Sequence, residues 1–421
     1  MNKKAHHAWW IMISCGTISF CVLGVVMACS GIFFKPVCDY LGVSRGAFSL
    51  YMTIIYLAMF IVLPIAGKKM PTANFKKFLI AAMAVFTLTF AAMSQFTSLY
   101  HWYAAGVLMG ISGAFVMFLP IPILINNWFK QKVGFALGLA LAMSGVGGTL
   151  FNPVGAYIIQ NYGWRTGYLV LGLIAFAITM PFMIFVVRFK PAEMGLEPYG
   201  AAETAATAAT AQVQPQAGAK PAELPGVTAG QALKSSAFYT ALIFAGMMTM
   251  SGTVQTHIPG YVTSIGLSAI VGGFAISMTS FGIIFGKLVM GYLNDKIGLS
   301  KAITTGTILS AAGLITILAA GSNTTLLYVG AFIFGFGGIS MGTVMPPMVV
   351  RQFFGQKDFS SIFSNIQSIT TLLMAFAMTL YGFIFDLSKS YANSLLASLL
   401  FLLVAYGGYL LTTVTAKKLP K

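Results

Sequence analysis

The sequence has few acidic residues and little charge of any kind. Asp and Glu together number 8, against 24 Lys and Arg, in a chain of 421 residues. Charged residues make up only 8% of the chain, whereas roughly 25% is usual for a soluble protein. Hydrophobic residues make up 58%. This composition excludes a globular protein whose whole surface is hydrated.

Cysteine and catalytic patterns are also scarce. The four cysteines, Cys15, Cys21, Cys29 and Cys38, fall in or just after the first apolar run. Their spacing matches no metal motif and leaves a disulfide pair open, and we interpret them as small apolar packing residues. We find no nucleotide-binding loop, no Ser/His/Asp arrangement with a plausible acid and no metal cluster. We therefore expect neither an enzyme nor a primary pump, and no cofactor.

Apolar runs long enough to cross a bilayer, about 20 residues each, recur along nearly the whole chain. They are predicted at Trp9–Phe34, Phe48–Ile65, Phe78–Met93, Leu99–Ile125, Val133–Ile159, Thr166–Val187, Ala237–Val262, Ala269–Tyr292, Ala302–Gly321, Thr325–Val350, Ser360–Phe385 and Tyr391–Thr415. The first run is too long for a signal-peptide core and lacks a small-residue cleavage site, so we interpret it as a span. The prediction is an all-α membrane protein with twelve transmembrane helices.

The net charge of +16 could indicate a nucleic-acid partner, but its distribution argues otherwise. If the N-terminus is cytoplasmic and the spans alternate, all but five of the basic residues fall on the cytoplasmic side. The exceptions are Lys35, Arg45, Arg165 and Lys389 on the other side, and Lys287 within a span. This bias is the positive-inside rule. It predicts a multi-pass protein of a bacterial cytoplasmic (inner) membrane, with both termini cytoplasmic, the lipid bilayer around it and no nucleic-acid partner.

The spans divide into two related sets of six. Residues 190–235 interrupt the pattern, and their Ala-, Thr-, Pro- and Gly-rich composition predicts a flexible cytoplasmic linker between bundles at 1–189 and 236–421. The halves match at an offset of 224 residues, the separation of Gly67 from Gly291. Further matches are Lys77 with Lys301, Gly106 with Gly330, Gly113 with Gly337, Pro122 with Pro346 and Phe129 with Phe353. Such repeats are typical of secondary transporters, whose substrate site lies between the halves.

The loop after the eighth span resembles the loop motif of the major facilitator superfamily. Its residues here are Gly291, Asp295, Lys296 and Gly298. The resemblance implies two pseudo-symmetric six-helix bundles, with the Asp capping or pairing with the inner ends of neighbouring helices in the inward-closed state. The first-half copy, which begins at Gly67, lacks the Asp, so we expect the stronger latch in the second half.

Within the superfamily, the sequence most resembles the monocarboxylate transporters and the oxalate/formate antiporter group. The resemblance rests on Trp128–Lys132, Gly134–Gly138, Gly163–Arg165, His257–Tyr261 and Phe353–Gly355. It implies that a cation eight positions before the loop Asp holds the substrate carboxylate, and that position is Lys287 where the group usually has Arg. No basic residue lies between Ser360 and Phe385, where the group's dicarboxylate exchanger uses a Lys, so a monoanion is favoured over oxalate.

Lys287 is the one Lys or Arg predicted inside a span. A charge at that depth costs about 2.5–3.5 kcal/mol, so it is a candidate for binding a carboxylate by a charge-assisted hydrogen bond. The alternative is a Lys that extends towards the headgroups. A buried Lys can lose its proton, whereas Arg effectively cannot. Our hypothesis is that Lys287 is neutral in the empty carrier and charged with the anion bound, which makes uptake an electroneutral proton symport.

The remaining site candidates are polar. All acidic residues fall in loops, the linker or span ends, so a cationic substrate is disfavoured. Proton coupling then needs another titratable group. His257, near the outer end of the seventh span, is the second candidate after Lys287. Its alternative role is that of a neutral, hydrogen-bonded His. Asn152, Gln255, Asn365 and Ser368 are candidates for contacting substrate, and interhelical hydrogen bonding is the alternative for each.

Together these features predict a monomeric secondary transporter of a small organic anion of the lactate, pyruvate or formate type. It would work by proton symport or anion exchange, with the two bundles rocking around a central site. Two rival functions stay open. One is an efflux carrier for neutral or amphipathic compounds, since the glycine-rich fifth span loosely resembles antiporter motifs. The other is a membrane sensor that does not transport.

Overall fold

The computed structural model describes residues 6–71, 74–201 and 226–419, and it is almost entirely helical. In this described part, the strand-like pairing consists of two isolated β-bridges, Phe129 with Tyr199 and Gly226 with Gly355. The all-α class predicted from the sequence is therefore confirmed.

Eleven helices in the described part are long and apolar enough to cross a membrane. They are His7–Leu41, Ala47–Lys69, Phe75–Gln95, Leu99–Trp128, Val133–Val186, Ser236–Ser264, Ile270–Ile297, Leu299–Ala319, Thr324–Phe354, Phe359–Ser388 and Tyr391–Lys418. The helix Val133–Val186 has 54 residues and contains Gly163 at φ 83°, ψ 161°, outside the helical region. It is therefore two spans, the fifth and the sixth, so the predicted twelve are present. Several helices run beyond the ends predicted for their spans. The tenth span, predicted to end at Val350, continues to Phe354 and therefore includes Arg351.

Short polar side chains start several of these helices. Ser44, Ser235, Ser268 and Asn323 each stand at an N-cap and accept a hydrogen bond from a backbone N–H in the first helical turn. These N–H groups have no partner inside the helix, so the side-chain oxygens satisfy them where the chain leaves the apolar region.

The outer face of the structure is apolar rather than polar. Large hydrophobic side chains such as Ile61, Phe274 and Leu400 are more than half exposed, and many others surround the helices in the same way. Soluble monomers seldom expose apolar patches of this extent. The surface therefore fits a lipid environment, as the composition predicted.

The spans form two bundles that meet along two helix pairs. The second span packs against the eleventh, and the fifth packs against the eighth. His6 and Leu419, at the two ends of the described chain, lie at the same end of the molecule as Tyr199 and Gly226 of the connection. We call this the linker end, and we call the opposite end the distal end. The four cysteines are free and buried within the first span, in agreement with a packing role.

The connection between the bundles is folded at both of its ends. Tyr199 N–H donates to Trp128 O at 2.8 Å on the first bundle, and Val227 N–H donates to Phe354 O at 3.0 Å on the second. Residues 202–225 of the predicted flexible linker lie outside the described residues. Each bundle thus holds its own side of the connection, and flexibility in the middle stays a prediction.

Candidate functional site

Lys287 lies in the eighth span, ten residues before its end at Ile297. The side chain is 6% exposed. Its Nζ donates to Ser144 Oγ at 2.9 Å and to Leu141 O at 3.3 Å, both on the fifth span of the other bundle. The amine therefore points across the interface between the bundles and not towards the headgroups. No carboxylate of the described residues forms an ion pair with the Lys287 amine.

Lys287 reaches Leu141 because the fifth and eighth helices touch backbone to backbone. A Cβ on Gly138 would collide with Lys287 O, and one on Gly134 would collide with Gly291 O. Small residues at this spacing let two helices approach within backbone contact. Leu141 O also accepts from Ser19 Oγ at 3.2 Å, so one carbonyl joins the first, fifth and eighth spans.

A central cavity of about 120 Å³ lies beside Lys287, between the two bundles. Its polar lining belongs entirely to the second bundle: Thr249, Lys287, Thr343, Gln367, Thr370 and Thr371. The first bundle contributes an apolar wall: Leu23, Met117, Phe118, Pro122, Leu137 and Leu141. A ligand in this cavity would therefore find its polar side-chain partners on the second bundle, with the Lys287 amine held against Leu141 of the first.

The threonine hydroxyl groups that line the cavity share one hydrogen-bonding pattern. Thr343, Thr370 and Thr371 each donate to a carbonyl of their own helix, at 3.0, 3.0 and 2.7 Å, and Thr249 donates to Ala245 O at 2.9 Å. Their oxygen lone pairs stay available as acceptors. The wall therefore offers one cation, one amide and several acceptor oxygens.

Irregular helix segments surround the cavity. The first span contains a π-helical stretch, Ser19–Met27, and the tenth contains another, Gly335–Ile339. The fourth span breaks between Val116 and Pro120. Pro122 and Pro346, which the internal repeat pairs with each other, both line the cavity. Such irregularities are frequent at functional sites and allow a helix to change its bend.

A wider groove of about 570 Å³ opens on the distal side of Lys287, between the fifth and eighth spans. It is lined by Ser144, Asn152 and Ser277 among others. Asn152, a predicted substrate contact, uses its Nδ2 to donate to Gly148 O of its own helix at 2.8 Å. The Lys287–Ser144 hydrogen bond thus separates this groove from the central cavity.

The linker end is closed by contacts between the bundles. The Asp295 carboxylate accepts from Gly134 N–H and Phe135 N–H, both at 2.8 Å, and so caps the fifth span. Arg351 Nη1 donates to Asn126 Oδ1 at 2.7 Å, and Lys130 Nζ donates to Gln356 Oε1 at 2.7 Å. Asp295 thus contacts the inner end of a neighbouring helix, and its role as a latch of the closed state stays a prediction.

The other residues of the loop motif shape the chain around Asp295. Gly291 provides the close approach to Gly134, and Gly298 ends the eighth helix at φ 86°. Lys296 Nζ lies 5.4 Å from the centre of the Tyr292 ring. A backbone with this φ strongly favours glycine, which explains the last glycine of the motif.

His257 and Gln255 lie away from the central cavity. Both belong to a short 3₁₀ segment, Val254–His257, towards the distal end of the seventh span. The His257 ring lies 5.7 Å from that of Tyr381 and 6.1 Å from that of Tyr391. The structure does not bring either predicted residue next to Lys287.

The eleventh span lines the cavity with polar residues other than the predicted Asn365 and Ser368. Asn365 Nδ2 donates to Ser361 O of its own helix at 2.7 Å, and Ser368 Oγ donates across the bundle interface to Phe60 O at 2.5 Å. Gln367 and Thr371 of the same span line the cavity. A polar period cannot by itself distinguish a face that packs from one that lines a cavity.

Comparison with known proteins places this geometry in a family. A family model described as Major Facilitator Superfamily matches residues 16–286 and 258–421. The chain is 24% identical over 332 residues to the uncharacterized MFS-type transporter YhjX of Escherichia coli K12, covering 77% of this chain and 75% of that protein. It is 22% identical over 333 residues to monocarboxylate transporter 13 of Rattus norvegicus, covering 78% and 70%.

Solved structures give the same result for the fold. The transporter FucP in its outward conformation superposes with a TM-score of 0.70 at 12% identity, covering 97% of this chain and 99% of that one. At this identity the likeness concerns the fold alone. It confirms the predicted arrangement of twelve transmembrane helices.

Proposed function

The chain belongs to the Major Facilitator Superfamily and is a multi-pass membrane transporter, and from this premise we propose that it carries a short monocarboxylate. The observation that carries the proposal is Lys287: a buried cation that lines a central cavity and has hydrogen-bond partners but no carboxylate among the described residues. A bound carboxylate would supply the missing negative charge.

The size and polarity of the cavity narrow the substrate class. A volume of about 120 Å³ corresponds to about four water molecules and is far below the ~300–1,000 Å³ of sites for drug-sized ligands. The acid would bind Lys287 on the polar wall and turn its short carbon chain towards Leu137 and Met117. The threonine acceptors favour an acid that also carries a hydroxyl group, of the lactate type, over formate.

The contacts of Lys287 suggest how binding promotes transport. In the present state its amine holds Leu141 and Ser144 of the other bundle. A carboxylate competes for that amine, so occupancy weakens one link between the fifth and eighth spans and allows the bundles to rearrange. By the positive-inside rule the linker end is cytoplasmic, and this state therefore faces outward.

Proton coupling follows the hypothesis drawn from the sequence. Entry of a bare anion against 100 mV costs about 2.3 kcal/mol, and that cost disappears if Lys287 takes up one proton with each anion. Lys287→Arg would remove this option because Arg stays protonated. Proton-driven uptake at the normal rate in that variant would refute the coupling hypothesis and leave the anion site standing.

The test is uptake of radiolabelled lactate into proteoliposomes. We compare an imposed pH gradient with preloaded counter-anion, which distinguishes symport from exchange. Loss of one charge-assisted hydrogen bond, about 1.5–3 kcal/mol, should reduce kcat/KM for Lys287→Ala by roughly 10- to 150-fold. Lys301→Ala, which removes an exposed charge at the linker end, is the matched control and should behave as the parent.

Other outcomes identify the rival functions. If Lys287→Ala keeps full uptake of a neutral or amphipathic compound, the protein is a carrier of that class and the anion proposal fails. If lactate raises the Tm of the purified protein but neither uptake nor exchange occurs, the protein acts as a sensor.

A further inference from the structure

Three side chains donate to the carbonyl of Leu141 on the fifth span. They are Ser144 Oγ at 2.8 Å, Ser19 Oγ at 3.2 Å and Lys287 Nζ at 3.3 Å. A carbonyl oxygen has two lone pairs, so three donors must share it and the longest bond is the weakest. The Lys287 amine is therefore held mainly by its other bond, to Ser144 Oγ at 2.9 Å.

The Ser144 hydroxyl is oriented to accept from this amine. Its proton is donated to Leu141 O, so the lone pairs of Oγ are left for Lys287 Nζ. Among the described residues, no other side chain accepts a hydrogen bond from the amine. In this state Ser144 therefore supplies the acceptor that a substrate carboxylate would supply in the loaded carrier.

Ser144 and the polar side chains of the cavity belong to different bundles and to different spaces. Ser144 lines the wider groove of about 570 Å³, whereas Thr343 and Thr370 line the central cavity on the second bundle, which also carries Lys287. An acid bound on that side draws the amine back towards its own bundle and away from Ser144. The groove gives the released hydroxyl room for water, at about 30 Å³ per molecule, so the release leaves no buried acceptor without a partner.

We propose that Ser144 is a positioning residue that sets substrate affinity, because its hydroxyl competes with the substrate carboxylate for the Lys287 amine. The inference rests on the proposed function and deepens it: the first bundle, whose side chains in the cavity lining are apolar, controls how tightly the acid binds. The loaded carrier and the rearranged carrier both lack the Lys287–Ser144 bond. Loss of the Ser144 hydroxyl therefore destabilises only the state that holds this bond.

Removal of such a competitor lowers KM and leaves kcat unchanged. The free energies of the loaded carrier and of the transport barrier, both measured from the unloaded carrier, fall by the same amount, so the step that follows binding keeps its rate. A serine that only packs between helices would act differently, since its loss would loosen the site and raise KM or lower kcat.

Lactate exchange in proteoliposomes measures both constants. Labelled lactate enters against preloaded unlabelled lactate, a reaction that symport and exchange mechanisms both permit. Ser144→Ala removes the hydroxyl, and Ser144→Thr keeps it. Ser112→Ala is the matched control, because Ser112 is a buried serine of the first bundle whose hydroxyl donates to Leu108 O and Met109 O of its own helix.

We expect a KM for Ser144→Ala about three- to tenfold below the parent's, the effect of one hydrogen bond that water partly replaces, with kcat unchanged. Ser144→Thr and Ser112→Ala should keep the parent's KM. A KM for Ser144→Ala at or above the parent's, or an equally lowered KM for Ser144→Thr, would overturn the inference. Should Ser144→Ala fail to fold, Ser144→Cys introduces a weaker acceptor and should also lower KM, and an unchanged KM there counts equally against it.

The Lys287→Ala variant distinguishes failure of this inference from failure of the proposed function. If the parent exchanges no lactate, or if Lys287→Ala keeps full exchange, the proposed function fails and this inference fails with it. If Lys287→Ala loses exchange while Ser144→Ala keeps the parent's KM, the anion site stands and only the role of Ser144 is wrong.

The separation of the bundles gives a second measurement. Spin labels at Ala192 and Ser300, exposed residues at the linker end of the two bundles, report this separation. Because Ser144→Ala weakens only the state that holds the bond, its ratio of long to short distances should rise about three- to tenfold without lactate and match the parent's at saturating lactate. A rise that persists at saturating lactate, or no rise without lactate, would overturn the competition between Ser144 and the substrate.

Discussion

Asp295→Asn probes the linker-end closure with a single atom change. The Asp295 carboxylate accepts two backbone N–H bonds, each 2.8 Å long, from the start of the fifth span. Asn keeps one acceptor and turns its NH₂ towards the other donor, so one charge-assisted bond and the favourable charge at the helix N-terminus are lost. Hydrogen bonds to charged groups contribute about 1.5–3 kcal/mol, and the exposure of Asp295 to solvent reduces this to about 1–2 kcal/mol.

That magnitude corresponds to a population shift of about 5- to 30-fold towards the state open at the linker end. Electron–electron distances between labels at Ala192 and Ser300 would measure it as growth of the long-distance population. Asp39→Asn is the control, since it removes the same charge from an exposed Lys35 pair at the distal end. A distribution identical to the parent's, or an equal shift in the control, would refute the claim that this cap holds the bundles together.

Three further predictions follow from backbone contacts and from the cavity wall. Gly138→Ala should disfavour the closed state by about 1–3 kcal/mol, because the new Cβ meets Lys287 O, and the label distances should lengthen. Gly273→Ala on the eighth span is the control: its Cβ faces open space, so the label distances should not change. Gln367→Leu removes the amide from the polar wall and should raise KM for lactate about fivefold without lowering Tm; an unchanged KM would remove Gln367 from the site. Gly163→Ala should destabilise the protein by about 1–3 kcal/mol, because the backbone angles φ 83° and ψ 161° are essentially restricted to glycine. The measurement is the Tm, which should fall; an unaltered Tm would contradict this backbone argument.

The span count could be predicted from the sequence because each helix must satisfy its own backbone within an apolar medium. Length and hydropathy therefore identify a span without knowledge of its neighbours. The helix ends were less predictable, as the tenth span shows: it continues past Val350 to Phe354 and includes Arg351, which is stabilised there by Asn126 of the other bundle. Such a partner cannot be read from local hydropathy.

The site was only partly predictable. Lys287 stood out because a lone cation in an apolar span is costly, and this holds whatever surrounds it. Asn365 and Ser368 are the predicted substrate contacts of the eleventh span, yet Gln367 and Thr371 of that span line the cavity. Thr249, Thr343 and Ser144 carried no distinguishing signal, since threonines and serines that donate to their own helix are common in spans.

The sequence by itself determined the membrane class, the twelve spans, the duplication and the presence of one cation inside a predicted span that has no acidic residue. These properties depend on composition, length and spacing, which act along the chain. Only the tertiary structure decided that Lys287 crosses to Leu141, that the polar side chains lining the cavity come from one bundle, and that Asn126 keeps an unpartnered donor. Each of these depends on which helix faces which, and that is set by packing between residues more than 100 positions apart.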